Sequence, residues 1–471
     1  MTRRHRATVV LAAGLLALPT VLAFYSGGFF AVPRLWAALA ACALLLLGAL
    51  VAPAPRTGPA WVAAVALAGL AGWVALSAGW APLTGPAVGD AQRVALYAAA
   101  FAAGLLLLGA VPRGVEPALA AGCLVVVGYA LSARLAPGLV EQTASNTAIG
   151  RLEQPLTYWN ALGCLAAIGL VLSARLAGDQ GRPAWLRAAG AASGVPLLLG
   201  VALTFSRGAI LATAAGLVVL CWLAPDRAQL RALAYVLGAA VPSVVVAMAL
   251  AGVRALGGPE EDKGWQGALT FAVLLASMAG AALLARRTPP PGRLRRAGPA
   301  GVAVAIALLA GAVGLAALAK PGTGTPETGA TPARLVSADS NRFAYWKVAL
   351  RDFADHPVRG AGSGAFRVRW RRERAFAESA VDAHSLYVET AAELGLVGLG
   401  LLGGFLGGVG LAARRALGTA PALVAGPAAA LAVWVLHAAI DWDWEMPALT
   451  LVALMLAALL AATPRAPARG G

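Results

Sequence analysis

Charge is scarce in this chain. Only 12% of its 471 residues are Asp, Glu, Lys or Arg, against about a quarter in a soluble domain. Hydrophobic residues make up 60%, and mean hydropathy is +0.76. This shortage of charge excludes a soluble enzyme, a disordered chain and a fibre. Cysteine is sparse too. Cys42, Cys123, Cys164 and Cys221 stand far apart inside apolar runs, so neither a disulfide framework nor a metal cluster is expected. Acidic residues are outnumbered, 21 against 37 Lys and Arg, for a net charge of +16. No zinc-finger spacing or continuous basic domain accompanies that excess, and no nucleic-acid partner is expected. In a chain this apolar, surplus Arg marks cytoplasmic loops.

Long apolar runs are abundant. One spanning helix needs roughly 20 apolar residues, and the runs are continuous rather than alternating, which argues against a β-barrel. The expected fold is an all-α, polytopic transmembrane helix bundle with a long, partly helical extracytoplasmic loop. About fourteen spans are read. They lie near 8–24, 32–51, 61–77, 93–110, 117–134, 157–175, 188–204, 208–223, 233–252, 266–285, 300–318, 394–412, 421–440 and 447–462. A re-entrant or interfacial pair would reduce the count to 12. The first run follows Arg3, Arg4 and Arg6 without a convincing small-residue cleavage site, and reads as a retained anchor.

With the N-terminus inside, about nineteen arginines fall in cytoplasmic segments and about seven in short outer loops. Both termini are therefore expected inside, and the long loop 319–387 outside. The arginines from Arg286 to Arg296 read as a topology signal. Four regions follow: N-terminal helices (1–134), central helices of the core (135–318), the outer loop (319–387) and C-terminal helices (388–471).

The outer side carries the unusual chemistry. Arg151, Tyr158, Trp159 and Asn160 stand at a helix mouth, where Tyr158 and Trp159 fit an interfacial aromatic belt as well as a polar cavity. Arg207, in Ser206-Arg207-Gly208-Ala209, joins two apolar runs almost without a gap. A cation at that depth needs a partner or a water-filled cavity, or must snorkel to the interface.

The long loop begins with a Gly/Thr/Pro-rich lead, Gly322 to Pro332. An amphipathic helix is expected from Asp339 to Asp355, with Phe343, Trp346, Leu350 and Phe353 on its apolar side. Arg342, Lys347, Arg351 and Asp352 occupy the other side. Gly360, Gly362 and Gly364 permit a tight turn whose amides could approach an anion. The basic stretch from Arg367 to Arg374 reads as a solvated or headgroup-facing surface.

His384 closes the loop, with Asp382, Glu389 and Glu393 nearby. Glu389 and Glu393, four apart, share a helix face. Of the other three histidines, His5 is terminal, His356 precedes a proline and His437 lies within a span. Asp441-Trp442-Asp443-Trp444-Glu445 reads as belt tryptophans with helix-end acids.

Together these segments resemble the O-antigen ligase and O-antigen polymerase superfamily of bacterial membrane glycosyltransferases. The resemblance rests on Arg151-Leu152…Pro155-Leu156…Asn160, Ser206-Arg207-Gly208-Ala209 and Arg342…Trp346…His356-Pro357. It continues through Gly360-Ala361-Gly362-Ser363-Gly364…Phe366, His384-Ser385-Leu386-Tyr387, Ala392-Glu393-Leu394-Gly395 and Asp441. It covers roughly 145–450.

The resemblance implies inverting transfer of a glycan from a polyprenyl diphosphate at the outer face of the cytoplasmic membrane, without a metal or other cofactor. The acceptor would be a glycan, a lipid or a protein, with membrane lipids as further partners. It assigns His384 to the catalytic position; on chemical grounds Glu389, Glu393 or Asp382 could orient it. It assigns the diphosphate to Arg207 and Arg342, with Arg151 as a further cation. The chemistry suits these residues. Arg donates bidentate hydrogen bonds to a developing phosphate charge, and a near-neutral His can take the acceptor's proton. A polymerase of the same superfamily is the nearest alternative. A transporter or flippase for envelope precursors, with Pro196 and Pro242 breaking its helices, is the next, and a non-catalytic scaffold the third.

Overall fold

The computed structural model describes residues 2–53, 58–143, 145–287, 329–331 and 340–463. Among these residues all regular structure is helical and no strand occurs. In chain order the α-helices begin with α1 (Arg3–Ala23), α2 (Ala31–Val51), α3 (Gly58–Ser77), α4 (Thr84–Leu107) and α5 (Pro112–Leu135). Next come α6 (Trp159–Gly178), α7 (Ala184–Leu203), α8 (Arg207–Leu223), α9 (Arg227–Ala249), α10 (Ala251–Ala255) and α11 (Glu260–Arg286). The last are α12 (Arg342–Asp355), α13 (Phe366–Glu373), α14 (Leu386–Thr419), α15 (Pro421–His437) and α16 (Pro447–Ala462).

Ten of these helices are long and apolar enough to cross a membrane, and α8, α15 and α16 are shorter apolar helices. Every expected run except 300–318, which lies outside the described residues, has a helix. Most of the Gly/Thr/Pro-rich lead lies outside them as well. The bundle is that of a membrane protein. On α2, Val32, Trp36, Leu39, Leu46 and Leu50 recur on one exposed side, an arrangement that water would penalise and lipid does not.

The chain divides into two compact units. One holds residues 1–115, 340–420 and 435–471, and is called the loop-bearing unit here. The other, the central unit, holds 116–339 and 421–434. Within the loop-bearing unit, α14 packs along α3, α2 along α4, and α16 against α1 and α4. Within the central unit, α6 is buried from Asn160 to Gly178 and packs on α7 and α8.

The helices of the long loop have a core of their own. Tyr345, Val348 and Ala349 of α12 meet Phe366 and Trp370 of α13, with Ala380, Ala383 and Ala392. The Tyr345 and Trp370 rings meet edge to face at 4.8 Å. This core draws on a side of α12 that the amphipathic reading did not single out. Its buried side carries Tyr345, Val348, Ala349 and Asp352, while Phe343 and Leu350 are exposed. Two stripes of this helix are apolar enough to be buried, and the aromatic cluster of α13 selects one. Asp352 tolerates burial because Arg369 donates to it at 2.9 Å. Arg369 also pairs with Asp355 and Glu373, so the basic stretch is partly an ion-pair network.

Candidate functional site

The loop-bearing unit assembles most of the long loop's chemistry around the start of α14. Ser385 caps this helix, its hydroxyl accepting from the Val388 amide. His384 stands just ahead of the cap with φ of 55°, a left-handed conformation uncommon for a side-chain-bearing residue. Its Nδ1 lies 3.1 Å from the Asp382 carbonyl oxygen. A carbonyl only accepts, so this bond requires the proton on Nδ1 and leaves the lone pair on Nε2. The imidazole is flanked by Tyr345, at 5.2 Å between ring centroids, and by Trp442, at 6.2 Å. Burial holds its pKa below the ordinary histidine value. Arg342 adds to that lowering and Asp441 opposes it.

Arg342 opens α12 and pairs through its guanidinium with Asp441, whose side chain is 1% exposed. Glu389 accepts from the Ala383 amide at 2.7 Å, fixing the backbone beside His384. Glu393 accepts from the amides of Gly364 (2.8 Å) and Phe366 (3.1 Å). The glycine turn does approach an anion with its amides, and that anion is the chain's own carboxylate. Gly360, Gly362 and Gly364 all have positive φ. A side chain at Gly360 would strike the Glu393 backbone. Ala361 and Gly362 donate to the carbonyls of Ala392 and Glu393.

Sequence spacing did not show how many acids converge here. Asp382, Glu389 and Glu445 bring carboxylate oxygens within 4.8 Å of one another. Arg93 of α4 binds Asp90 (2.9 Å) and Glu445 (3.0 Å), and Ser363 donates to Asp90. A small cavity of about 30 Å³ lies among Asp90, Arg93, Ser363, Glu389, Glu393 and Glu445. Burial raises Asp382 to about 6, with Arg93 and Arg367 pulling the other way, and raises Glu445 well above its ordinary value. Such a set of oxygens has the donor chemistry for a hard cation. Arg93 and the Ala383 amide already compensate part of its charge.

Sequence reasoning noted His437 and Asp443 at a hairpin cap and gave them no role. His437 Nδ1 lies 2.6 Å from Asp443 Oδ2, and both side chains are fully buried. The signal was present in a His and an Asp six apart across a helix end, and belt tryptophans masked it.

Arg151 and Arg207 belong to the central unit. Arg207 is the first residue of α8, after Ser206, whose hydroxyl accepts from the Ala209 amide at 3.2 Å. A cation at a helix N-terminus runs against the helix dipole, so local electrostatics did not select it. Arg151 donates to the carbonyls of Ala148 (2.7 Å) and Thr147 (2.6 Å), and its guanidinium stacks 3.5 Å over the Trp159 ring. Tyr158 is buried and accepts from Asn160 at 2.7 Å, so it is not a lipid-belt residue. Arg151 and Glu153 line a cavity of about 390 Å³ with Arg134, Gln142, Gln154 and Lys263. Burial raises the pKa of Glu153, and its bonds from Ser145 oppose that rise.

The same unit holds buried charge at positions counted as cytoplasmic. Arg182 pairs with Glu116 (3.2 Å) and Asp179, and Arg175 with Asp179 and Gln229.

Residues 266–403 match the O-antigen ligase family. The match includes Arg342, the glycine turn, His384, Glu389 and Glu393. No curated protein matches the chain.

Proposed function

Since residues 266–403 match the O-antigen ligase family, we propose that the chain is a glycosyltransferase of the O-antigen ligase and polymerase superfamily, acting at the outer face of the bacterial cytoplasmic membrane. It takes a glycan from a polyprenyl diphosphate and passes it to an acceptor, with inversion and without a metal. Both termini lie in the cytoplasm. One observation carries the reading. The tautomer that His384 needs as a base is set by the Asp382 carbonyl, beside the guanidinium of Arg342.

In this reaction the acceptor hydroxyl attacks the anomeric carbon and loses its proton to His384 Nε2. The bond from that carbon to the diphosphate oxygen breaks, and the electron pair leaves with the diphosphate. Arg342, its guanidinium plane fixed by Asp441, meets the developing charge. By the family resemblance Arg207 is a further cation for the diphosphate. Within the central unit, Arg151 holds the 145–154 segment around its cavity. Glu389 and Glu393 act on His384 indirectly, through the Ala383 amide and the glycine turn. A polymerase would run the same chemistry on a growing polysaccharide as acceptor.

The test is a deletion strain complemented with wild type or His384→Ala. The expected result is loss of a surface glycan on deletion, accumulation of its lipid-linked precursor, and no rescue by an expressed, membrane-inserted His384→Ala. Full rescue would refute the assignment of His384. Precursor confined to the cytoplasmic leaflet would favour a flippase.

A further inference from the structure

The His437–Asp443 pair lies too deep to touch a substrate, since neither side chain has any exposure. Among the described residues, His437 Nε2 and Asp443 Oδ1 have no hydrogen-bond partner. Burying a carboxylate and an imidazole with half their polar atoms unmatched is costly, and an apolar pair of similar volume would avoid that cost. What the pair provides is geometry. It closes the segment 438–442 into a loop, secured further by Ile440 donating to the His437 carbonyl (3.0 Å) and Thr450 to the Asp443 carbonyl (2.7 Å).

Of the contacts that leave that loop, three reach the reacting groups or the residues beside them, while the Trp442 ring also meets Phe29 at 5.5 Å. The Ala438 carbonyl accepts from the Leu386 amide at 2.9 Å, two residues beyond His384. Asp441 pairs with Arg342. The Trp442 ring flanks the His384 imidazole at 6.2 Å. One buried bond therefore sets the position of the cation's partner, a wall of the imidazole pocket and the anchor of the helix behind it.

We propose that His437 and Asp443 are positioning residues of the transfer site, holding the 438–442 loop so that Arg342 and His384 meet the same substrate. The inference rests on the function proposed above. It specifies a direction-dependent bond, so the place of the donor at position 437 matters as well as its polarity.

The experiment uses the full chain in nanodiscs, with lipid-linked glycan extracted from the deletion strain as donor. An Asn side chain places its Nδ2 near the position of His Nδ1, whereas Gln places its amide one bond farther out. His437→Asn is expected to transfer within about threefold of wild type. His437→Gln and His437→Leu are expected to lose at least about tenfold in kcat/KM for the donor, while inserting and remaining monodisperse. Combining His437→Leu with Arg342→Lys should cost little more than the worse single change, because both act through Asp441.

Equal transfer by the Asn and Gln variants would overturn the positioning role, as would wild-type kinetics in His437→Leu. Additive losses in the double variant would overturn the route through Asp441. A wild-type protein that transfers no glycan at all would defeat the functional reading itself, an outcome distinct from these.

Discussion

Arg342 and Asp441 stand 99 positions apart in sequence, and their ion pair ties the first turn of α12 to the loop before the last helix. The aspartate is nearly inaccessible, so removing Arg342 leaves a buried charge without its ion-pair partner. Arg342→Ala is expected to destabilise the protein by about 3 kcal/mol and to abolish transfer. Arg342→Lys keeps the charge but loses the planar fork, and should fold normally while transfer falls at least about tenfold. Thermal unfolding in detergent, run beside complementation, separates the two effects.

Glu393 gives a second test. Its two oxygens satisfy the Gly364 and Phe366 amides inside the glycine turn. Glu393→Ala leaves both donors buried and unmatched, an expected loss of about 2–4 kcal/mol. Glu393→Gln, which retains one acceptor, should lose about half as much. The two melting temperatures should rank wild type, Gln, Ala.

Gly395 interrupts α14 with φ of 65° and ψ of −161°. A side chain there would meet the Val358 carbonyl as well as an unfavourable backbone conformation. Gly395→Ala is expected to cost at least about 2 kcal/mol and to lower accumulation in the membrane. Gly400→Ala on the same helix meets open space and should be neutral or mildly stabilising. Accumulation and melting temperature of the two variants provide the comparison.

Asp382 and His384 predict pH behaviour. Asp382 is raised from an ordinary value near 3.8 to about 6, so its ionisation opposes folding as pH rises through that interval. Asp382→Asn should raise the melting temperature at pH 7.5, by up to about 3 kcal/mol of stability, with the gain vanishing near pH 4. Because Asp382 binds His384 through its backbone carbonyl, the substitution preserves that bond. His384 is lowered by burial, so kcat/KM should keep its full value at pH 7, with an acid limb below the ordinary histidine value.

Apolar periodicity was enough to read the helices, because lipid demands continuous runs that a sequence displays openly. It was a poorer guide to which side of a helix is buried. On α12 it singled out the stripe through Phe343 and Leu350, and gave no sign that Tyr345 and Val348 would pack against Trp370. The glycine turn was legible because three glycines at alternate positions are unusual in a membrane loop, and His384 and Arg342 drew notice for the same kind of reason. The partner of that turn was not legible, since Glu393 lies 29 positions from Gly364 and only tertiary structure joins them. Arg175 and Arg182 misled in another way. A count of loop cations treats each as a solvated charge, whereas both are buried in ion pairs. The acids around Asp382 stayed hidden for the same reason, being drawn from α4, the outer loop, α14 and the segment before α16.

The break at Gly395 also separates two helical registers. After it, Gly398, Leu402, Phe405, Val409, Ala412 and Ala416 form a regular buried seam, while before it Glu389 and Glu393 answer to the loop. A continuous helix would turn both sets together, about 100° for every residue gained or lost. The left-handed glycine lets each set keep a register of its own. The aim of the carboxylates and the aim of the membrane seam are thus specified by separate stretches of one helix.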